Sequence, residues 1–345
     1  MAIIGFGLSG RVFHAPFLHS HPGFRLRKVV ERNSQLSKEQ YPEIEILRNY
    51  EGLLADPEIE LVVISVPNIL HYSMASECLS AGKHVIIEKP FTPTSKEADL
   101  LIDLSAKTGK QIFVFQNRRW DGDFITVRKL LEQGLLGRLL EYEAHFDRFT
   151  PLRKRAAWRD EPLPASGLLY DLGSHLIDQA LVLFGKPQSL FADIRTQREN
   201  GKVDDYFQLE LYYPGMKAIL KAGVFVRQAG PRYTLHGTMG SFVKYGIDPQ
   251  EAALRTGSMP TMEDWIKEDQ KFRGLLNTEM NGLHFQGTVE TEPGNYMGFY
   301  QNVYEVLTSR AEAAVEPAEA RNVIRIIELA FRSKLEKSVV PFTEN

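Results

Sequence analysis

The chain has 345 residues and a formal net charge of −3, with 43% hydrophobic and 25% charged residues, which is an ordinary composition for a soluble globular protein. This charge gives no reason to expect nucleic acid or an anionic membrane as a partner. The single cysteine, Cys78, excludes an intrachain disulfide and a cysteine-rich metal site. No apolar run approaches the ~18 residues that span a bilayer, and the N-terminus lacks a signal-peptide pattern, so we expect a cytoplasmic protein.

The first third of the chain alternates short apolar runs with helical patterns, which is typical of a parallel sheet with crossover helices. Six strands are predicted, at residues 2–5, 25–31, 44–47, 61–65, 84–87 and 111–115. The clearest helix follows Thr94, which is expected to form a capping box with Glu97, and it ends at Gly109. Residues 1–119 are therefore predicted to form a doubly wound α/β domain of the Rossmann type.

In residues 120–345, the short strands and helices of the first domain are replaced by long runs of alternating apolar and polar residues. They cover residues 138–149, 190–198, 206–213, 217–226, 233–237 and 241–245, and helices are predicted near 123–133, 167–184, 296–311 and 317–334. Residues 257–294 show no clear period and are assigned only as loop with some strand. The pattern predicts an α+β second domain with a large, mostly antiparallel open sheet, for substrate binding and oligomerisation. Its last helix could pack back on the first domain.

A glycine motif follows the first strand. Gly5, Gly7 and Gly10 have the spacing of a dinucleotide-binding turn, and Glu31, 21 positions after Gly10, stands where an acidic residue binds the adenosine ribose. Arg32 could instead accept a 2′-phosphate. The motif therefore predicts NAD(P) as cofactor and leaves NAD and NADP open, with a ligand-free tight turn as the alternative.

Pro16 lies inside the helix that the glycine motif requires. Proline is tolerated in the first turn of a helix, because its missing N–H has no helical partner there. We therefore predict a brief helical turn over residues 11–14 and a restart or kink at Pro16, with an end near Pro22. The phosphates are expected to meet backbone N–H groups of residues 8–12, which begin with Leu8 and Ser9.

Polar residues follow two of the predicted strands at the edge where open α/β sheets bind ligands. Glu88 and Lys89 end the fifth strand and precede Pro90. Lys89 either faces a cleft, where it could orient or polarise a substrate oxygen, or it is solvated while Glu88 forms a surface salt bridge. The fourth strand is followed by further candidates for cofactor contact, although Asn68 could simply cap a helix: Pro67, Asn68 and His71.

The helix at 167–184 is apolar apart from one stripe. Asp171, His175 and Asp178 are offset by four and then three positions, so they share a helix face. A carboxylate one turn from an imidazole can raise its basicity and fix its tautomer, as a general base requires. A satisfied core histidine and a metal pair are the alternatives. No His cluster supports the second, and no metal is predicted.

Two basic segments, QNRRWD and LRKRAAWRD, could contact an anionic or polyhydroxyl substrate, or they could be solvated faces. These segments and the run GSFVKYGIDPQE contain the candidates for substrate binding, namely Asn117, Arg118, Trp158 and Tyr245.

The order of three motifs, GFGLSG, then EKP, then DLGSH, resembles the glucose–fructose oxidoreductase / inositol dehydrogenase / rhizopine catabolism (Gfo/Idh/MocA) family. Within it, the segments FHAPFL, QNRRWDGDF and YDLGSHLIDQALVLFG are similar to the branch of NADP-dependent scyllo-inositol dehydrogenases. One departure is Glu31, where this branch often has a small residue before the arginine.

The resemblance implies NAD(P)-dependent oxidation of a secondary alcohol on a cyclitol or sugar. In that chemistry Lys89 positions the alcohol oxygen, His175 transfers the proton, Asp171 pairs with the histidine, and hydride passes to nicotinamide. It also implies a homodimer or homotetramer formed through the open sheet. Two other functions remain for this fold: a non-enzymatic NAD(P)-binding sensor that regulates a partner, and a glycosidase that uses the nicotinamide transiently.

Overall fold

A computed structural model describes residues 1–152, 161–260, 266 and 268–344. The chain divides into two compact units, each assembled from three separate segments. The first comprises Met1–Asn117, Pro249–Ile266 and Asn295–Arg321, and the second comprises Arg118–Asp248, Lys267–Gly294 and Asn322–Asn345. Each unit therefore depends on packing between segments that are far apart in sequence.

The first unit contains a six-stranded parallel sheet. Its strands are β1 (Ala2–Ile4), β2 (Lys28–Val30), β3 (Glu45–Leu47), β4 (Leu61–Ile64), β5 (His84–Ile87) and β6 (Ile112–Val114). They lie in the order β3-β2-β1-β4-β5-β6, which is the doubly wound order of dinucleotide-binding domains. All six predicted strands are confirmed. Strands β4 and β5 are almost wholly buried, as expected where helices cover both faces of a parallel sheet.

Short helices connect these strands. They are α1 (Ala15–Ser20), α2 (Leu36–Gln40), α3 (Glu51–Leu54), α4 (His71–Ser80) and α5 (Ser95–Thr108). The predicted capping box is present, since the Thr94 hydroxyl accepts from the backbone of Glu97 at 3.2 Å and the Glu97 carboxylate accepts from the backbone of Thr94 at 3.0 Å. Gly109 ends α5 in the left-handed conformation with φ 66°, as expected of a C-terminal glycine.

The second unit contains a nine-stranded sheet. Its strands are β7 (Leu139–Asp147), β8 (Ser189–Arg195), β9 (Tyr206–Tyr213), β10 (Met216–Gly223), β11 (Tyr233–Gly237), β12 (Gly240–Lys244), β13 (Gly274–Met280), β14 (Leu283–Val289) and β15 (Val340–Pro341). They lie in the order β14-β13-β12-β11-β7-β10-β9-β8-β15. Neighbouring strands are antiparallel except β7 and β10, which pair in parallel. The predicted large, mostly antiparallel sheet is confirmed.

Helices α6 (Gly122–Glu132) and α7 (Ser174–Phe184) belong to the second unit, and α8 (Gln250–Arg255) and α9 (Met297–Leu307) to the first. Helix α10 (Pro317–Glu336) begins in the first unit and continues into the second. In the described part of the chain, no helix combines the length and apolar character needed to cross a bilayer.

Strand β9 shows how the second sheet divides its two faces. Phe207, Leu209 and Leu211 are fully buried in the apolar core of this unit, whereas the alternate residues Gln208 and Glu210 are half-buried. This alternation is expected when one face is covered and the other is open. Side chains of α7 and α10, including Leu176 and Ile326, belong to the same core.

The hairpin of β13 and β14 lies in the segment that the sequence pattern left as loop with some strand. Asn281 and Gly282 connect the strands with φ of 51° and 78°, the conformation of the tight turn that Asn-Gly favours. The Asn281–Gly282 dipeptide could therefore have predicted this hairpin from the sequence. The period is weak because outward residues such as Leu275 and Leu283 are apolar yet exposed.

Candidate functional site

The three glycines of the turn after β1 meet different surroundings. Gly5 has φ of 92°, and a Cβ there would lie 2.2 Å from the Ser65 carbonyl oxygen. A Cβ on Gly10 would lie 2.3 Å from the Gly5 carbonyl oxygen, whereas a Cβ on Gly7 would have no neighbour within 4 Å. Gly5 and Gly10 are thus needed for the turn and its packing, and the side of Gly7 is open for a close approach of pyrophosphate. This turn fits a bound dinucleotide.

The helical segment after the turn is widened before Pro16. Residues Gly10–His14 form a π-helical turn, in which the backbone N–H of Ala15 donates to the Gly10 carbonyl oxygen. Helix α1 follows with Pro16 in its first turn and ends at Ser20. The brief helical turn predicted over residues 11–14 is present as this π-helical turn, and the α-helix restarts at Ala15, one residue before the predicted Pro16. The wider π geometry accommodates a proline that cannot donate to the preceding turn.

Glu31, predicted to bind the adenosine ribose, is buried and already has partners. Its carboxylate accepts from the backbone N–H groups of Leu36 at 3.0 Å and Ser37 at 2.8 Å, and from the Ser34 hydroxyl. Burial by itself would raise the pKa of Glu31, but these hydrogen bonds outweigh burial and hold its pKa below the ordinary value. Glu31 therefore fixes the loop between β2 and α2.

The residues that follow β4 are arranged around the end of β5. His71 is fully buried, with Nδ1 2.9 Å from the Pro90 carbonyl oxygen and Nε2 3.1 Å from the Val66 carbonyl oxygen. Burial lowers the pKa of His71 in spite of these carbonyls. Asn68 is also buried, in the short 3₁₀ turn that follows Pro67. His71 thus fastens two strand ends together.

Glu88 is the centre of a cluster at the carboxyl end of β5. Its Oε1 accepts from the Ser9 hydroxyl and lies 2.9 Å from His14 Nε2, and its Oε2 accepts from the Lys89 backbone N–H at 3.1 Å. Burial would raise the pKa of Glu88, but the His14 hydrogen bond and charge and the Lys89 charge hold its pKa below the ordinary value. Lys89 itself is half-buried, and its peptide bond to Pro90 is cis.

In the second unit, Asp171 and His175 lie where a π-helical turn meets α7. The turn spans Leu169–Gly173 and contains the half-buried Asp171, and His175 is buried in the first turn of α7. The His175 ring packs edge-on against Phe146, with 6.4 Å between centroids. In the described part of the chain, π-helical turns occur at two places, and both carry candidate residues, in agreement with their frequent occurrence at functional sites.

Asp204, which sequence reasoning missed, holds the start of this π-helical turn. Its carboxylate accepts from the Leu169 backbone N–H at 2.7 Å, and burial raises the pKa of Asp204 to about 6. Gly167 has φ of 97°, and a Cβ there would lie 2.0 Å from Asp204 Oδ1. The close contact between Asp204 and this glycine therefore sets how the chain enters the helix that carries Asp171 and His175.

Asp178, the third member of the polar stripe, forms a buried ion pair. Arg119 Nε donates to its Oδ2 at 2.8 Å and Nη2 donates to its Oδ1 at 2.7 Å, and both side chains are buried. A bidentate pair of this kind combines strength with a fixed geometry. Arg119 lies in the basic segment QNRRWD, but the sequence alone did not show that Arg119, rather than Arg118, pairs with Asp178. The pair anchors α7 to the 3₁₀ turn at Asn117–Trp120.

Gln179 adds a second anchor beside Asp178. Its amide donates to the Arg118 carbonyl oxygen at 2.9 Å, and its Oε1 accepts from the Tyr233 hydroxyl at 2.9 Å and from Arg232 Nη2 at 3.3 Å. The Arg232 guanidinium lies 3.7 Å from the centroid of Phe146, the ring that contacts His175. The surroundings of His175 are therefore held by buried polar contacts.

The substrate-binding candidates lie in different settings. Asn117 and Arg118 are buried, and Arg118 Nη1 donates to Asp121 at 3.1 Å. Tyr245 is 44% exposed, directly after β12. Trp158 lies outside the described residues. Among the residues described, no group of three or more His, Cys, Asp or Glu side chains could hold a metal ion.

The doubly wound sheet, the open glycine turn and the candidate acid–base residues define a class of protein, the nucleotide-dependent oxidoreductases. Two family profiles match the chain: "Oxidoreductase family, NAD-binding Rossmann fold" at residues 1–116 and "Oxidoreductase family, C-terminal alpha/beta domain" at residues 128–342. The chain belongs to the Gfo/Idh/MocA oxidoreductase family. It is an enzyme of the NAD(P)-dependent dehydrogenase type, as predicted.

Similar proteins include scyllo-inositol 2-dehydrogenase (NADP(+)) IolW of Bacillus subtilis (strain 168), at 40% identity over 99% of this chain and 95% of the relative. The uncharacterized oxidoreductase YdgJ of Escherichia coli (strain K12) is 37% identical over 99% of this chain and 97% of its own length. Among solved structures, a suspected oxidoreductase from Bacteroides fragilis matches with TM-score 0.91 and 47% identity, covering 99% of this chain and 98% of that one.

The different surroundings of Gly7 and Gly10 predict opposite effects of alanine substitution on stability and on nucleotide affinity. Gly10→Ala forces a Cβ against the Gly5 carbonyl, so we expect a loss of about 1–3 kcal/mol in the free energy of unfolding. Gly7→Ala has room in the free protein, so its stability should stay within about 0.5 kcal/mol of wild type, while the affinity for NADPH falls at least about tenfold because pyrophosphate approaches that side. Urea unfolding and fluorescence titration measure the two effects. Unchanged NADPH binding by Gly7→Ala would contradict this assignment.

The Arg119–Asp178 pair predicts a large and coupled effect on stability. Arg119→Met removes the positive charge and both Arg119 hydrogen bonds from the buried Asp178 carboxylate, and should cost about 3–5 kcal/mol in urea unfolding. The double variant Arg119→Met/Asp178→Leu should be more stable than the sum of the single changes predicts, because it leaves no buried charge. Arg128→Met removes an exposed pair with Glu132 on α6 and should change stability by less than about 0.5 kcal/mol. Strict additivity would show that the pair does not act as a unit.

Proposed function

We propose that this enzyme transfers a hydride between NADP and a secondary alcohol of a cyclitol or sugar, with a scyllo-inositol-like compound as substrate. The observation that carries the proposal is the position of Lys89, at the carboxyl end of β5 in the sheet that also carries the open glycine turn. This is the edge at which open α/β sheets bind their ligands. The 40% identity to IolW supports the choice of substrate class.

In the proposed reaction each residue has one role. Lys89 orients the alcohol oxygen, and His175 removes the hydroxyl proton as general base. Asp171, in the π-helical turn before α7, favours the protonated imidazole that results. When bound, the nicotinamide accepts the hydride. Residues 1–119 hold the nucleotide in this proposal, and residues 120–345 supply most of the substrate contacts. The proposed contacts are Asn117 and Arg118, just before that boundary, and Trp158 and Tyr245 beyond it.

The loop after β2 supports NADP as the cofactor. The carboxylate of Glu31 is engaged by α2 and Ser34, so it is not directed to a ribose hydroxyl. Arg32 is exposed beside it, and Arg48 Nη1 donates to the carbonyl oxygens of Glu31 at 2.9 Å and Ser34 at 2.7 Å. Two guanidinium groups at one loop suit a 2′-phosphate better than a hydroxyl.

We also propose that the protein forms a homodimer or homotetramer through the open face of the nine-stranded sheet. On β7 this face carries Glu141, Glu143, His145 and Asp147, which alternate with core residues of the strand and are all half-buried. His145 lies 2.7 Å from Glu143 and 3.1 Å from Asp147, and although burial opposes it, these carboxylates raise the pKa of His145. Size-exclusion chromatography with light scattering determines the assembly.

The function is tested by assaying NADP⁺ and NAD⁺ reduction with inositols and aldoses in parallel. We expect turnover with a cyclitol, and a decrease in kcat of roughly 10²–10⁴-fold for Lys89→Ala and for His175→Ala with little change in nucleotide affinity. Lys96→Ala and His236→Ala, which change exposed residues, serve as matched controls and should keep wild-type activity.

Three outcomes of this assay would reject the proposal. Full activity of both active-site variants would remove their assigned roles. Tight nucleotide binding without turnover on any polyol, together with a captured partner protein, would indicate a sensor. Release of sugar from an aryl glycoside without net accumulation of reduced nucleotide would indicate a glycosidase.

The cofactor preference is tested separately at Arg32. Arg32→Ala removes one charge-assisted contact to a 2′-phosphate, worth about 1.5–3 kcal/mol, so KM for NADP⁺ should rise roughly 10- to 100-fold while KM for NAD⁺ stays nearly constant. Arg25→Ala, an exposed arginine outside this loop, is the control. An equal change for the two nucleotides would show that Arg32 does not read the phosphate.

A further inference from the structure

Two buried histidines flank helix α1 and have different hydrogen-bond partners. His21 Nδ1 accepts from the Gly23 backbone N–H at 3.0 Å, and its Nε2 lies 2.9 Å from the Gln301 side-chain oxygen. One acceptor and one donor suit a neutral ring. His14 is fully buried, and neither of its ring nitrogens faces a backbone N–H. Nε2 faces Glu88 Oε1 at 2.9 Å, and Nδ1 faces the Tyr300 hydroxyl at 3.0 Å.

A count of protons decides the state of His14. The Glu88 carboxylate only accepts, so Nε2 must carry a proton. The Tyr300 hydroxyl has a single proton, which it donates to the Phe13 carbonyl oxygen. Its oxygen can therefore only accept from Nδ1. Both ring nitrogens of His14 are donors, which is the hydrogen-bonding pattern of an imidazolium.

The surroundings of His14 suit a charge only because it is paired. The ring packs 4.5 Å from Phe115, and burial raises the pKa of Tyr300 well above its ordinary value, so the phenol stays protonated. An isolated charge in such a place would be costly, but the carboxylate of Glu88 compensates it. Helix α8 also contacts the π-helical turn that carries His14. Its charged residues pair with each other, since Arg255 Nε donates to Glu251 Oε1 at 2.8 Å.

On the other side of the cluster, Lys89 and His71 also contribute to lowering the pKa of Glu88. The two partners of His71 are neutral carbonyls rather than a carboxylate, so the ion-pair argument for His14 does not extend to His71.

We propose that His14 is a buried imidazolium that acts with Tyr300 as a positioning pair for Glu88, and through Glu88 for the glycine turn and Lys89. The Glu88 carboxylate receives the Ser9 hydroxyl from that turn, His14 from the π-helical turn, and the backbone N–H of Lys89. The kinetic part of this inference rests on the proposed dehydrogenase function, whereas the protonation state of His14 does not.

The protonation state is measured on the wild-type protein by ¹⁵N NMR of histidine-labelled samples. His14→Gln assigns the His14 signals, and His19→Gln on the same helix, an exposed residue, is the matched control. We expect both ring nitrogens of His14 to carry a proton at pH 7, as two donors require, whereas Nδ1 of His21, which accepts from Gly23, carries none. An unprotonated nitrogen on His14 at pH 7 would overturn the proposal, whatever substrate the enzyme uses.

The positioning role is measured with Tyr300→Phe against Tyr304→Phe, the same change one turn further along α9. Without the phenol, Nδ1–H loses its acceptor, which disfavours the doubly protonated His14 ring. The kcat/KM of Tyr300→Phe should then fall with rising pH, with the midpoint seen by NMR for His14. Tyr304→Phe should keep the wild-type profile.

The kinetic outcomes separate the two proposals. A loss in Tyr300→Phe that is equal at every pH would mean that Tyr300 is merely structural, and it would reject the positioning role. Absence of turnover in the wild-type protein would reject the proposed function while leaving the NMR result on His14 to decide the protonation state.

Discussion

A buried carboxylate must find hydrogen-bond donors or a positive charge, and in the first unit this requirement organises the nucleotide-binding edge. Glu88 obtains its donors from the glycine turn, the π-helical turn and the backbone of Lys89. An unpaired carboxylate at this depth would cost several kcal/mol or take up a proton. The glycine turn and the end of β5, which are 79 positions apart between Ser9 and Glu88, are therefore held together by a single side chain.

The second unit meets the same requirement on the helix that carries the candidate base. Asp178 is neutralised by Arg119, Gln179 has three hydrogen-bond partners, and Asp204 accepts from the backbone at the start of the π-helical turn. Apolar packing alone tolerates small sliding of a helix, whereas buried polar contacts have fixed distances and directions. Such contacts are suited to holding a histidine in a defined orientation.

The repeating parts of the fold could be read from the chain because they depend on local rules. The six strands of the first sheet follow from apolar runs between breakers, and the ends of α5 follow from Thr94, Glu97 and Gly109. Pro16 could be interpreted because the restriction on a proline is local. The β13–β14 hairpin was missed although Asn281 and Gly282 signalled it, because exposed apolar residues on its strands hid the alternation.

The sequence by itself determined the class of sheet, the glycine turn, the family and the cofactor class, since each depends on spacing along the chain. Only the tertiary structure decided which partners the charged residues have. Glu31 and Asp178 were placed correctly on a strand end and a helix face, yet their partners are α2 and Arg119, and neither pairing follows from a period or a motif. The physical reason is that a hydrogen bond depends on distance and direction in space, and residues such as His14 and Tyr300 meet across 286 positions of the chain.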